Sequence, residues 1–360
     1  MNTCESVKNA ALSALVIIGA SSAALLGARA QVAQERREKV AKISTIAFVS
    51  TRHDPTANLF ASQIYLMNGD GTNVRRITNN KYADNFPTLS PDGSKIVFDS
   101  NRLRVETEPI NTSHLFLMNA DGTGQTPLAR GGSPSWSPDG KQIAFHASAS
   151  GTGQPTKPYP GAVTIDSDLF VMNVNDVLKK AALPKNITNS PEAIDEDPDW
   201  SPDGRKIVFT SHLVADDKLD SVTAEIFVIK ADGKGKRERL TNNSEEERAP
   251  QWSPDGKRIA YMCRKGGSDF EICVMNADGT GQRQLTDNAL GDLTCSWSPD
   301  GQKIVFHRQP AREAGGVRGV PKYQLWTINS DGTGEVKLTD SPGINGFPNW
   351  GEVRVSSKSP

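Results

Sequence analysis

The tetrapeptide Ser-Pro-Asp-Gly occurs five times in this chain, beginning at Ser90, Ser137, Ser201, Ser253 and Ser298, at spacings of 47, 64, 52 and 45 residues. Self-similarity at that period restricts the fold to a repeat architecture, because one such unit has two apolar faces and can bury them only against its neighbours. Tryptophan directly precedes four copies, as Trp136, Trp200, Trp252 and Trp297, and Leu89 precedes the other. A second motif follows: Asn119-Ala120-Asp121-Gly122, Lys230-Ala231-Asp232-Gly233, Asn276-Ala277-Asp278-Gly279 and Asn329-Ser330-Asp331-Gly332. Asn173-Val174-Asn175-Asp176 reads as a degenerate copy, and Asn68-Gly69-Asp70-Gly71 lies ahead of the first Ser-Pro-Asp-Gly. Ile77-Thr78, Ile187-Thr188, Leu240-Thr241, Leu285-Thr286 and Leu338-Thr339 close the units.

Each unit reads as four short strands, A to D. Strand A ends at the tryptophan position, and Ser-Pro-Asp-Gly supplies a type I turn, with proline presetting φ at its second position. Strand B alternates, as in Lys95-Ile96-Val97-Phe98. Strand C is Leu115-Phe116-Leu117-Met118 or its equivalent, and the Asp-Gly turn leads into strand D. Residues 44–79 hold strands B, C and D without an A, whereas Phe347-Pro348-Asn349-Trp350 is a strand A with nothing comparable after it. Joined, they complete a blade from both ends. The expected fold is therefore all-β: a six-bladed β-propeller of four-stranded antiparallel blades over residues 44–355, closed by the C-terminal strand. Residues 356–360 are a tail.

Ala10 to Leu26 is almost wholly apolar or small, with Lys8 before it and Ala28-Arg29-Ala30 after it. That pattern is a secretory leader over residues 1–30, followed by a short linker over 31–43, and the expected localisation is periplasmic or secreted. No later stretch is long and apolar enough to span a membrane. The 41 basic and 42 acidic residues leave a net charge of −1, which argues against a nucleic-acid partner. Cys263 and Cys273 lie in diagonal register across one hairpin, so a disulfide between them is left open.

The repeated Trp-Ser-Pro-Asp-Gly, Asp-Gly and Leu-Thr pattern resembles the repeat of TolB-type β-propellers over residues 44–354. The resemblance implies a cell-envelope setting and a protein partner, an envelope lipoprotein of the Pal type among the candidates. TolB-type proteins carry an α/β domain ahead of the propeller; only Gln31 to Lys42 precede the first strand here, so nothing that domain does is carried over. Propellers with this repeat also serve as non-catalytic domains of peptidases and as metal-dependent lyases, so the fold does not assign chemistry.

Alternating strand directions put the A–B and C–D turns on one face and the B–C and D–A loops on the other. The recurrent aspartates of the first face read as turn chemistry rather than ligands. The second face carries the long B–C loops Asn101–Ser113, Ser148–Asp166, His212–Thr223 and Arg308–Tyr323, and loops on a rigid scaffold are where binding resides. Five residues before each tryptophan position stand Asp84, Gly131, Asp195, Glu247, Asp292 and Asn345. The carboxylates and Asn345 are expected to ring the channel mouth and make it electronegative, the plainer reading being that each bonds a nearby backbone amide. His146 and His307 follow the last aromatic residue of strand B in two blades and are the candidate metal ligands of an alternative reading, a metal-dependent hydrolase or lyase. Blades three and six stand opposite each other, so packed or solvated histidines are the preferred reading. No nucleophile elbow, zincin, P-loop or dinucleotide fingerprint appears. The preferred expectation is a monomeric protein-binding scaffold without catalytic residues or cofactor.

Overall fold

The structure, a computed structural model, describes residues 40–54, 61–106, 108, 112–148, 167–190, 193–213, 224–264, 269–310 and 322–356. The expected leader over residues 1–30 and most of the long B–C loops lie outside the described residues. Six four-stranded sheets are present, five of them built from strands consecutive in sequence. The sixth is composite: Asn345–Ser356 lies beside Val40–Ser50, followed by Gln63–Asn68 and Arg75–Arg76. The expected six-bladed propeller and its closure by the C-terminal strand are thus present. Counting the composite blade as one, strand A of blades two to six is Asp84–Leu89, Gly132–Trp136, Ala193–Trp200, Glu246–Trp252 and Asp292–Trp297. One compact unit, Ser44–Val353, contains the six blades.

The motifs form their turns with their own atoms. In every Ser-Pro-Asp-Gly the serine hydroxyl donates to the aspartate, as Ser253 to Asp255 at 2.6 Å, and accepts the N–H five residues on, as Arg258 N–H at 2.9 Å. The glycines hold φ between 68° and 71°, where a Cβ is disfavoured. In the second motif the aspartate accepts both the N–H and the hydroxyl of the threonine two residues on, as Asp278 does from Thr280. The closing Leu-Thr or Ile-Thr has one repeated job. Each threonine hydroxyl accepts a strand C amide at 2.9 to 3.0 Å: Ile64, Leu169, Ile226, Ile272 and Leu325 donate to Thr78, Thr188, Thr241, Thr286 and Thr339.

Blade three departs from the expected turn. Its Asn173-Val174-Asn175-Asp176 has no glycine for the left-handed position, and a short helix, Val174–Leu178, replaces the turn. Asn173 caps it by accepting the Asn175 and Asp176 N–H groups. In blade two the corresponding Gly122 has φ 91°, and a Cβ there would sit 2.6 Å from the Ile77 carbonyl of blade one. Glycine is therefore needed wherever the tight turn is kept.

The apolar core is divided into six clusters, one between each pair of neighbouring blades. Each holds one residue of the tryptophan position, Leu89 serving between blades one and two. Trp350 packs with Phe48, Tyr65 and Leu325 and so joins blade six to blade one, while its Nε1 donates to Ser44 Oγ at 2.8 Å. Sheets that bury both faces against neighbours leave no separate central core, and the axis is left to strand A.

Candidate functional site

Three residues before the tryptophan position, every strand A holds a non-glycine residue at positive φ: Phe86, Ser133, Asp197, Ala249, Thr294 and Phe347. Proline follows in five blades (Pro87, Pro134, Pro198, Pro250, Pro348) and Cys295 in blade six. The ladder to strand B shifts register at this point in blades two to six. Proline has no N–H to give the ladder, and a bulge is the place in a sheet that accepts it. The bulges line an axial cavity of about 90 Å³. The axis is a shaft that narrows at the bulges and widens to a cavity of about 310 Å³ among the tryptophan-position residues of all six blades, toward the turn face.

Side chains next to the tryptophan position stitch this shaft together. Asn349 accepts the Leu89 N–H, Asp199 the Trp252 N–H and Ser296 the Trp350 N–H, each from one blade to the next, at 2.8 to 3.0 Å. Burial pushes the Asp199 carboxyl up to about 7, although the Trp252 amide and Ser135 hydroxyl oppose the shift. Asp99 of strand B in blade two is pushed up to about 8, again by burial.

The five residues expected to crown the mouth are all buried, at 3% exposure or less. Asp84 accepts Arg102 Nη2 at 2.6 Å and Asn80 at 2.7 Å. Asp195 accepts the Ser211 hydroxyl at 2.6 Å and Arg237 Nη1 at 3.2 Å. Asp292 takes Arg308 through both carboxylate oxygens, at 2.5 and 2.7 Å. Glu247 accepts Asn243, and Asn345 accepts Ser50 and Arg52. The expected electronegative ring is therefore corrected: these groups lie inside the blades, where Asp84, Asp195 and Asp292 meet arginines, Asn345 an arginine and a hydroxyl, and Glu247 the Asn243 amide through one oxygen. The arginines stack on the aromatic pair of their own blade, as Arg102 on Phe116 at 4.5 Å and Arg308 on Trp326 at 4.7 Å. In blade three the position is Gly131, where a Cβ would lie 2.5 Å from the His146 carbonyl.

The structure does not bring His146 and His307 together. His307 Nδ1 bonds Thr294 Oγ1 at 2.7 Å, its ring packs on Tyr323 and Phe347, and burial pulls it down to about 3, keeping it neutral. His212 belongs to an extended strand B, Lys206–Leu213, rather than to a loop. Among the described residues no three His, Cys, Asp or Glu side chains converge into a metal-ligand set. Cys263 and Cys273 are joined by a disulfide, across the diagonal register in which Cys263 faces Glu271 and Tyr261 faces Cys273.

One residue nearer the long-loop face than the bulge, a different group gathers. Glu196 Oε2 lies 3.8 Å from His212 Nε2, with His146 of blade three and Arg248 of blade five near it. Burial raises the Glu196 carboxyl. Burial and then Arg248 bring His212 down to about 4. Arg248 also pairs with Glu246, which Arg264 shares. On blades one and two the half-buried rings of Phe86 and Phe347 meet at 4.3 Å between centroids. An aromatic pair and a Glu–His–Arg group thus stand at the long-loop end of one shaft. Sequence reasoning passed over Glu196, Arg248, Phe86 and Phe347, although all four fall in the two columns just after the acidic one when the repeats are aligned.

The family model described as the TolB beta propeller domain matches residues 162–354. An uncharacterized peptidase of Bacillus subtilis, YuxL, is 31% identical over 215 residues, covering 51% of this chain and 30% of the peptidase. The Tol-Pal system protein TolB of Francisella tularensis is 40% identical over 80 residues, covering 22% of this chain and 17% of TolB. The chain spans less than a third of the length of the curated relatives it matches first. The crystal structure of TolB from Acinetobacter baumannii superposes with a TM-score of 0.64 at 22% identity, covering 85% of this chain and 66% of that one.

Proposed function

The chain belongs to the TolB beta propeller domain family, and from that premise we propose that it is an extracytoplasmic scaffold that holds a segment of an envelope protein at the long-loop mouth of its shaft. The observation that carries this reading is the rim itself. Phe86 and Phe347 offer an aromatic platform, and Glu196 and Arg248 offer polar anchors, all on bulged strands tied blade to blade at the axis. Aromatic and arginine side chains on a rigid frame are the composition of binding hot spots. The apolar segment Ala10 to Leu26 and the Cys263–Cys273 disulfide both suit an oxidising compartment outside the cytoplasm. The Tol-Pal relative makes an envelope protein the first partner to try, a Pal-type lipoprotein included.

The test is capture of partners from envelope extract by the chain starting at Gln31, compared with Phe86→Ala, Phe347→Ala and Glu196→Gln. The reading expects one partner to be retained by the parent chain and lost, by about ten-fold or more in affinity, from the aromatic variants. A partner held equally by all of them would move recognition away from the mouth.

A further inference from the structure

The helix that replaces the turn in blade three has a surface consequence. From Leu178 to Leu183 the chain runs Leu-Lys-Lys-Ala-Ala-Leu with every residue exposed, and Leu183 is 91% exposed. This segment joins strands C and D, so it stands on the turn face, opposite the mouth. Residues 174–185 carry Lys179, Lys180 and Lys185 against Asp176 alone. Lys185 Nζ donates to the Asp232 carbonyl at 2.6 Å, which ties the segment to the C–D turn of blade four. That turn departs from the repeat in the same direction, with Lys230 and Lys234 in place of the Asn and Thr of the other motifs and Lys236 beyond them, all exposed. The corresponding turns of blades five and six have Asp278 with Arg283, and Asp331 and Glu335 with Lys337. In a chain of net charge −1, the basic excess is concentrated on two adjacent blades, around a protruding leucine.

We propose that the turn face of blades three and four is a docking surface for an anionic phospholipid bilayer. Lysines at a bilayer surface gain from the negative headgroup potential, and a protruding leucine between them enters the boundary between headgroups and acyl chains. An acidic protein would satisfy the lysines but would have to supply a pocket for Leu178 and Leu183, whereas the headgroup boundary of a bilayer takes exposed leucines without one, which is why a bilayer is the better fit. Docked this way, the long-loop mouth faces away from the membrane and stays open to a partner.

The experiment is vesicle co-sedimentation with the chain starting at Gln31, which keeps every described residue. The vesicles are phosphatidylcholine alone, or phosphatidylcholine and phosphatidylglycerol in equal parts. Expected is retention on the anionic vesicles only, weakening as salt rises. The exposed changes Lys179→Gln, Lys180→Gln, Lys234→Gln and Lys236→Gln together should reduce partition at least about ten-fold, and Leu183→Ser should reduce it at constant charge, with thermal midpoints unchanged. No retention on anionic vesicles, equal retention on both, or indifference to the lysine changes overturns the proposal. Salt-sensitive retention indifferent to Leu183→Ser also overturns it, because the choice of a bilayer over an acidic protein rests on that leucine.

Discussion

Asp199 touches three blades at once: it belongs to blade four, accepts the Ser135 hydroxyl of blade three at 3.0 Å and takes the Trp252 N–H of blade five at 2.8 Å. With its carboxyl pushed up to about 7 by burial, the native protein keeps this proton at pH values where the unfolded chain has already lost it. The stability it contributes is thus complete below about pH 4 and declines as pH rises to about 7. Asparagine already fills the same position in blade one, where Asn349 accepts the Leu89 N–H. Asp199→Asn should therefore melt near wild type at about pH 4 and be more stable by roughly 1–4 kcal/mol at about pH 8. Thermal melts across that range decide the matter, and a difference between the two proteins that ignores pH would rule out titration at this side chain. The buried Asp84–Arg102 and Asp292–Arg308 pairs carry a different lesson. Both residue types were visible in the sequence, but their partnership was not, because an acidic side chain at the start of a strand does not reveal whether it turns to solvent or inward.

Strands and turns repeat their chemistry closely enough to be tested one at a time. Thr241 is fully buried and accepts the Ile226 N–H at 2.9 Å. Thr241→Val keeps the shape and removes the acceptor, so it should cost about 1–3 kcal/mol. The denaturant midpoint should fall with no change in slope. An unchanged midpoint would mean that the closing Leu-Thr is a spacer rather than a latch. At this scale the sequence was most readable, since Ser-Pro-Asp-Gly and Asn-Ala-Asp-Gly complete their hydrogen bonds within a few residues. It misled in blade three, where a turn that lacks its glycine became a helix, and in strand A, where a bulge interrupts the alternation. A side chain's direction in a strand has period two, and one extra residue reverses it. The column of Asp195 and Glu247 was placed at the mouth by its position in the repeat alone, and position does not give direction; Asp195 turns to Ser211 and Arg237 inside its blade.

The ring closes through a strand nearly 300 residues distant from its partner, with Ser50 donating to Asn345 at 2.8 Å and Trp350 filling the contact between blades six and one. Deleting Gly346 to Pro360 opens two sheet faces and removes Trp350. Loss of one large core side chain already costs about 3–5 kcal/mol, so the truncated chain should aggregate or melt far below the parent in a thermal scan, and an unaltered midpoint would refute the closure. The repeat determined by itself the number of blades, the path of the turns outside blade three, the need for a tryptophan or leucine at each interface, and the closure, because all of these depend on residues close together in one unit or on counting units. Only the tertiary structure decided which side chains face the axis, that Asp195 meets Arg237 from 42 residues away, that Cys263 and Cys273 bond, and where the rim and the basic turn face lie. The disulfide and the Asp195–Arg237 pair depend on where side chains turn within one blade, and the rim and the turn face on six bulges meeting at one axis and on one blade pressing against the next, none of which a local spacing encodes.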